Sequence, residues 1–156
     1  LRYGCFTGFL LRYIKNQNRF CVFRQAFAGK TTYIKEYGDM DIRLDGETRI
    51  YYVVGDPIAQ VKSPTGVTTA FQQRGLNAVC IPAHVGTDQL AEFFQALKSM
   101  RNVDGIMVTV PHKIAFTALC DQVSERARFL NTVNTVRREG DLWVGDMFDG
   151  LAQVEA

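Results

Sequence analysis

The chain has 156 residues, of which 47% are hydrophobic, 22% charged and 12% aromatic, with a formal net charge of +2. That length suits one ordinary domain with a sizeable core, and the composition argues against collagen-like, disordered and strongly nucleic-acid-seeking classes. No apolar run approaches the roughly 20 residues needed to span a bilayer, and YGCFTGFLLRYI is short and interrupted by Arg12, so no membrane partner is expected.

The charge is unevenly spread. Residues 1–38 carry seven Lys/Arg against one acidic residue, whereas residues 39–156 carry eleven against fifteen. Residues 1–40 lack clear periodicity, and the chain begins at Leu1 rather than Met. They read as a basic extension outside the fold; a targeting leader would also exploit the missing acids. A nucleic-acid surface is the weaker option because no dense Lys/Arg run forms, and no nucleic-acid partner is expected. The four cysteines, Cys5, Cys21, Cys80 and Cys120, form no CxxC pair, and the only histidines are His84 and His112. No metal site is therefore expected, Cys80 in AVCIPA reads as a buried small hydrophobe, and a reducing, cytoplasmic setting fits best.

From Asp41 the pattern becomes orderly. RIYYVVG, Arg49 to Gly55, is a β-branched and aromatic run stopped by Gly-Asp-Pro, which predicts a buried strand entering a loop. A helix is predicted over 65–74, with Gly75 as its stop. AVCIPA, Ala78 to Ala83, predicts a second strand. Residues 88–100 place Leu90, Phe93, Phe94 and Leu97 on one helical face, with Thr87 as candidate N-cap and Lys98 exposed. GIMVTV, Gly105 to Val110, predicts a third strand, and Pro111 suits the first turn of a following helix. VNTVRREGDLWVGD has two β-like runs around Glu-Gly-Asp and predicts a hairpin. The fold class is thus α/β: a mainly parallel open sheet flanked by helices, with right-handed crossovers and a C-terminal β-hairpin.

In open sheets of this kind, ligands gather at the carboxyl ends of the strands. The loop after Val54, the segment Thr109–Lys113 and the segment after Gly145 are expected to converge on one such rim. Ser63, Thr109, Lys113, Asn134, Asp146 and Asp149 would then form a polar set facing one cleft. Each also has an innocent reading: Ser63 before Pro64 as a turn or cap, Thr109 as strand filler, Lys113 as a solvated first-turn lysine, Asn134 as a hairpin residue, Asp149 before Gly150 as a turn former.

Together, VVGDPIAQVKSP, VTVPHK, NTVNTV and VGDMFDG resemble, in order and spacing, the N-terminal substrate-binding domain of the shikimate dehydrogenase family, including its quinate/shikimate paralogues. The resemblance covers Glu47 to Gly150. It implies a domain over 41–150, with 151–156 beginning the link to a second, Rossmann domain. It further implies NADP- or NAD-dependent interconversion of a small cyclic hydroxy acid, shikimate or quinate, with its 3-dehydro ketone. Carried over, Lys113 and Asp149 are the catalytic pair and also touch substrate. Ser63 is a carboxylate-binding hydroxyl, and Thr109 and Asn134 bind ring hydroxyls. The residue types suit the chemistry: hydride loss from a ring carbon requires the hydroxyl on it to lose a proton, and a lysine sharing its proton with a carboxylate is a positioned acid/base.

The departures are as informative. Where the family usually has Ser-x-Ser-Pro, this chain has Val61-Lys62-Ser63-Pro64, and the following His-Asn is Val67-Thr68. The family's Asn-Val-Thr is Met107-Val108-Thr109, and its Asp-Asn-Thr-Asp is Asp146-Met147-Phe148-Asp149. Polar positions have become apolar while the lysine and aspartate remain, which predicts retained oxidoreductase chemistry with altered recognition of the ring and its carboxylate. Lys62 either supplies a compensating charge or faces solvent. No GxGxxG turn follows a strand, so the chain is read as a partial gene product without its Rossmann cofactor domain and is expected not to hold a dinucleotide by itself. The alternative is a non-catalytic binding module, or an inactive fragment, for a polyhydroxy carboxylate. No feature of the sequence bears on oligomeric state.

Overall fold

The structure, a computed structural model, describes residues 42–149. The basic extension, Cys5, Cys21 and the residues from Gly150 onward lie outside the described residues. A six-stranded sheet has the order β2-β1-β3-β5-β6-β4. Its strands are β1 (Arg49–Gly55), β2 (Ala78–His84), β3 (Val103–Val108), β4 (Gln122–Val123), β5 (Thr135–Glu139) and β6 (Leu142–Asp146). The helices are α1 (Ser63–Gln72), α2 (Leu90–Ser99), α3 (Ala115–Leu119) and α4 (Glu125–Leu130). β1 pairs in parallel with β2 and β3, and β4 in parallel with β6. β5 is antiparallel to both β3 and β6. The sheet is therefore mainly parallel, with a terminal hairpin turning at Gly140, whose φ of +61° favours glycine.

β1 is apolar on both sides because it is covered on both sides. Successive side chains alternate between faces, so Val54 packs with Phe94, Leu97, Val108 and Trp143 on one face. Val53 packs with Val67, Phe71, Cys80 and Met107 on the other. α2 supplies Leu90, Phe94 and Leu97 as buried residues, with Phe93 packed at the margin. α1 adds a polar tie that periodicity does not reveal: the Cys80 N–H donates to the Thr68 hydroxyl at 2.9 Å. Burial pushes the Cys80 thiol up to about 12, and burial together with neighbouring Asp121 does the same for Cys120.

Several boundaries differ from the sequence reading. The third strand is Val103–Val108 rather than 105–110, because its edges are set by pairing with β1 and β5, not by the apolar run. Gln89, not Thr87, caps α2, without a side-chain bond; Thr87 lies in a turn closed by Gln89 N–H to Gly86 O at 3.2 Å. Pro111 follows a cis peptide in a tight turn, and the helix starts only at Ala115. The helix after β3 is consequently only five residues long, and β4 and α4 intervene before the hairpin.

Lys98 is not the freely exposed residue that its place in the sequence suggests. Its ammonium meets Asp121 Oδ1 at 2.8 Å, with the lysine side chain 23% exposed. Asp121 also accepts the Trp143 N–H at 2.8 Å, linking α2 to the strand that carries Trp143. The Lys98 hydrogen bond, then the Trp143 N–H, hold the Asp121 carboxyl below its usual range. A carboxyl depressed on folding stabilises above its unfolded value near 3.9 and loses that contribution as pH falls through the folded value. The urea midpoint should therefore fall between pH 7 and pH 3, and Asp121→Asn should make that fall shallower. An equal fall in both proteins would show that Asp121 is not coupled to folding.

Candidate active site at the carboxyl rim

The chain leaves β1 for β2 on one side and returns to β3 on the other, so a topological switch point opens between the carboxyl ends of β1 and β3. Two backbone bonds stitch this rim, Thr109 N–H to Val54 O at 2.9 Å and Asp56 N–H to Val110 O at 3.1 Å. Gly55 is needed at this point: a Cβ there would collide with the Thr109 methyl and lie 3.1 Å from the Val110 carbonyl oxygen. The peptides Asp56–Pro57 and Val110–Pro111 are both cis.

Lys113 is set by its neighbours. His112 is completely buried, and its Nε2 lies 2.7 Å from the Val85 carbonyl, which assigns that nitrogen the proton. Its backbone carbonyl accepts from Phe116 N–H at 3.1 Å, and the Lys113 carbonyl accepts from Val133 N–H at 2.8 Å. With the main chain fixed on both sides, the Lys113 ammonium donates to Asp149 Oδ2, the two side chains being 26% and 33% exposed. Asn134 Nδ2 donates to the other Asp149 oxygen at 2.5 Å.

Asn134 is 1% exposed, and its amide oxygen accepts from Phe148 N–H at 3.0 Å and from the Thr135 hydroxyl at 3.2 Å. The structure thus brings Lys113, Asn134 and Asp149 into one bonded cluster. Thr109 stands at the end of β3, half-buried, at the same switch point. Ser63 is the half-buried first residue of α1 and gives no cap bond; exposed Lys62 is the N-cap. Asp146, expected in the same polar set, does not join the side-chain bonds of that cluster. It is 8% exposed and gripped by Arg126, with Nε at 2.6 Å and Nη2 at 2.5 Å, and by the Ser124 hydroxyl and the Met147 N–H. Sequence reasoning missed Ser124 and Arg126, although Ser124 ahead of Glu125 is an ordinary N-cap signal; its side chain accepts from Ala127 N–H at 3.2 Å.

Buried in part and bonded to a carboxylate, a lysine here can exchange a proton with an oxygen placed beside it while Asp149 compensates its charge. The described residues do not fit a dinucleotide. β1 runs into Gly55-Asp56-Pro57, β2 into Val85-Gly86-Thr87 and β3 into Thr109-Val110-Pro111, none of them a glycine-rich turn opening a helix that would cradle a pyrophosphate. Among the described residues no group of three or more His, Cys, Asp or Glu is arranged to hold a metal. None of the described helices is long and apolar enough to cross a membrane.

Fold and site together define an α/β domain whose open, mainly parallel sheet carries a lysine–carboxylate–amide cluster at its carboxyl rim. A profile described as the shikimate dehydrogenase substrate binding domain matches residues 53–136, and the chain belongs to the shikimate dehydrogenase family. It is 39% identical over 107 residues to shikimate dehydrogenase (NADP(+)) of Geobacter metallireducens, covering 69% of this chain and 37% of that protein. Among solved structures it resembles shikimate 5-dehydrogenase from Listeria monocytogenes in complex with shikimate and NAD, at 28% identity and a TM-score of 0.70, covering 76% of this chain and 40% of that one. It also resembles ligand-free 5-ketofructose reductase of Gluconobacter sp. strain CHM43, at 26% identity and a TM-score of 0.64, covering 67% and 37%. The chain thus spans well under half the length of the relatives it matches.

Proposed function

We propose that this chain is the substrate-binding and proton-transferring part of a shikimate dehydrogenase-like oxidoreductase, acting on shikimate, quinate or a related cyclic hydroxy acid. The observation that carries this reading is the Lys113–Asp149 ion pair at the switch point, with Asn134 holding the second carboxylate oxygen. In ketone reduction Lys113 gives its proton to the carbonyl oxygen; in alcohol oxidation it takes the hydroxyl proton, and Asp149 keeps the ammonium in place. Thr109 and Ser63 offer hydroxyls to the ring hydroxyls and the carboxylate, since a desolvated polar group left unpaired costs about 1–3 kcal/mol. Asn134 serves the ring through its one amide proton beyond the bond to Asp149. The curated relative is an NADP(+) enzyme by name, and because the described residues do not fit a dinucleotide, the hydride half of the reaction falls to residues outside them. NADP is the proposed cofactor, with NAD as the competitor, and the cytoplasm the proposed location.

The ligand is not fixed by the fold, because a neighbour of similar TM-score is named as a 5-ketofructose reductase. A panel of shikimate, quinate and open-chain polyols tests the reading. Calorimetric binding to the chain should favour cyclic hydroxy acids, and the oxidoreductase that carries it should turn over the ligand bound best, with NADP ahead of NAD. Binding without turnover would support a binding module, and no binding would contradict both.

A further inference from the structure

We infer that Arg126 is a positioning residue for the Lys113–Asp149 pair, acting through Asp146 and Phe148. The inference rests on the proposed role of that pair, but the geometry behind it involves no substrate. Asp149 lies three residues beyond Asp146, the last residue of β6, so its placement depends on the short turn between them. Every residue of that turn is tied. Asp146 receives both prongs of the Arg126 guanidinium. Met147 N–H donates back to the same carboxylate at 2.8 Å. The guanidinium lies 4.2 Å from the centre of the Phe148 ring, and Phe148 N–H donates to Asn134 at 3.0 Å. Asn134 then holds one Asp149 oxygen while Lys113 holds the other.

One side chain from α4 therefore neutralises one end of the turn and covers the aromatic ring beside the other end. Asp146 is almost buried, and a buried carboxylate robbed of its cation is strongly disfavoured, so without Arg126 it would be drawn toward water and take Met147 and Phe148 with it. Lysine would restore the charge but neither the two-pronged bond nor the stacking on the ring.

The test uses the 156-residue chain, labelled for NMR and free of ligand. In the unaltered chain a nuclear Overhauser signal is expected between the Asn134 side-chain amide and the Asp149 β-protons. Arg126→Met should abolish it while amide protection of Val54 and Trp143 in the core persists, Arg126→Lys should restore part of it, and Arg128→Met on the exposed side of α4 should leave it unchanged. A full-strength signal in Arg126→Met would overturn the proposal. So would a signal that vanishes only where core protection vanishes as well, in both Arg126 variants, which would make Arg126 a fastener of α4 alone. Should the methionine variant not fold, Arg126→Lys decides by the same comparison. Failure of the unaltered chain to bind any cyclic hydroxy acid would count against the proposed function and leave this result standing, because the signal is read without ligand.

Discussion

Replacing Lys113 with alanine is expected to cut turnover far more than substrate affinity in an oxidoreductase that carries this chain. A positioned acid/base contributes about 10²–10⁴-fold in rate, and because proton transfer accompanies the chemical step, its removal appears mainly in kcat. The side chain is suited to that effect by its surroundings. Buried His112 before it and the Val133 bond to its own carbonyl fix where the lysine emerges, and Asp149 fixes where its ammonium sits. Asp149→Asn should lower both kcat and affinity, since it removes the charge that holds the ammonium and a candidate substrate acceptor. The control must be free of such ties. Lys98 is unsuitable because it is paired with Asp121, whereas exposed Arg101 offers a neutral comparison. If Lys113 were only a solvated turn lysine, its removal would leave turnover alone and change stability by about a few tenths of a kcal/mol. Steady-state kinetics of the three variants separate these cases, and near-normal turnover in Lys113→Ala would end the catalytic assignment.

The largest effect on stability is expected at Trp143. It is 1% exposed on β6, meets Phe94 of α2 edge to face at 5.4 Å between ring centres, and carries the Arg138 guanidinium 4.8 Å from its ring centre. Arg138 in turn donates to the Lys98 and Met100 carbonyls at the end of α2, so the tryptophan packs where helix and hairpin are joined. Truncating a buried aromatic to alanine costs about 3–5 kcal/mol, a large part of the roughly 5–15 kcal/mol that holds a domain together. Trp143→Ala should therefore lower Tm by well over about 10 °C, on the scale of about 4–8 °C per kcal/mol for small domains. Leu142→Ala, one residue away but 44% exposed, should change Tm little. Thermal melts followed by circular dichroism compare the two, and equal small shifts would show that the hairpin is not locked to α2.

How much of this was legible in the sequence depended on whether local pattern or long-range pairing decided the outcome. RIYYVVG, AVCIPA, the Leu90–Phe94–Leu97 stripe and the Glu-Gly-Asp turn declare themselves because burial on two faces, helical period and turn chemistry are local properties. β4 has only two residues, and it exists because Gln122 and Val123 pair with Val144 and Gly145, a partnership that no local window contains. Pro111 misleads because the same residue suits a helix start and a cis turn, and pairing with β1 selects the turn. At the site, the resemblance carried Lys113, Asn134 and Asp149 to positions that prove to be one cluster. Asp146 looked equivalent to Asp149 in sequence, but an arginine twenty positions upstream claims it. Only the three-dimensional arrangement separates a carboxylate aimed at the rim from one consumed in holding it.

Binding of a cyclic hydroxy acid at the switch-point rim, through the Lys113 and Asp149 cluster, is tested most directly by chemical-shift mapping of the labelled chain during titration with shikimate. Saturable changes are predicted at Thr109, Lys113, Asn134 and Asp149, with none at the hairpin tip around Gly140, and they should largely disappear in Asp149→Asn. Saturable changes confined to residues away from that rim, or undiminished in Asp149→Asn, would contradict it.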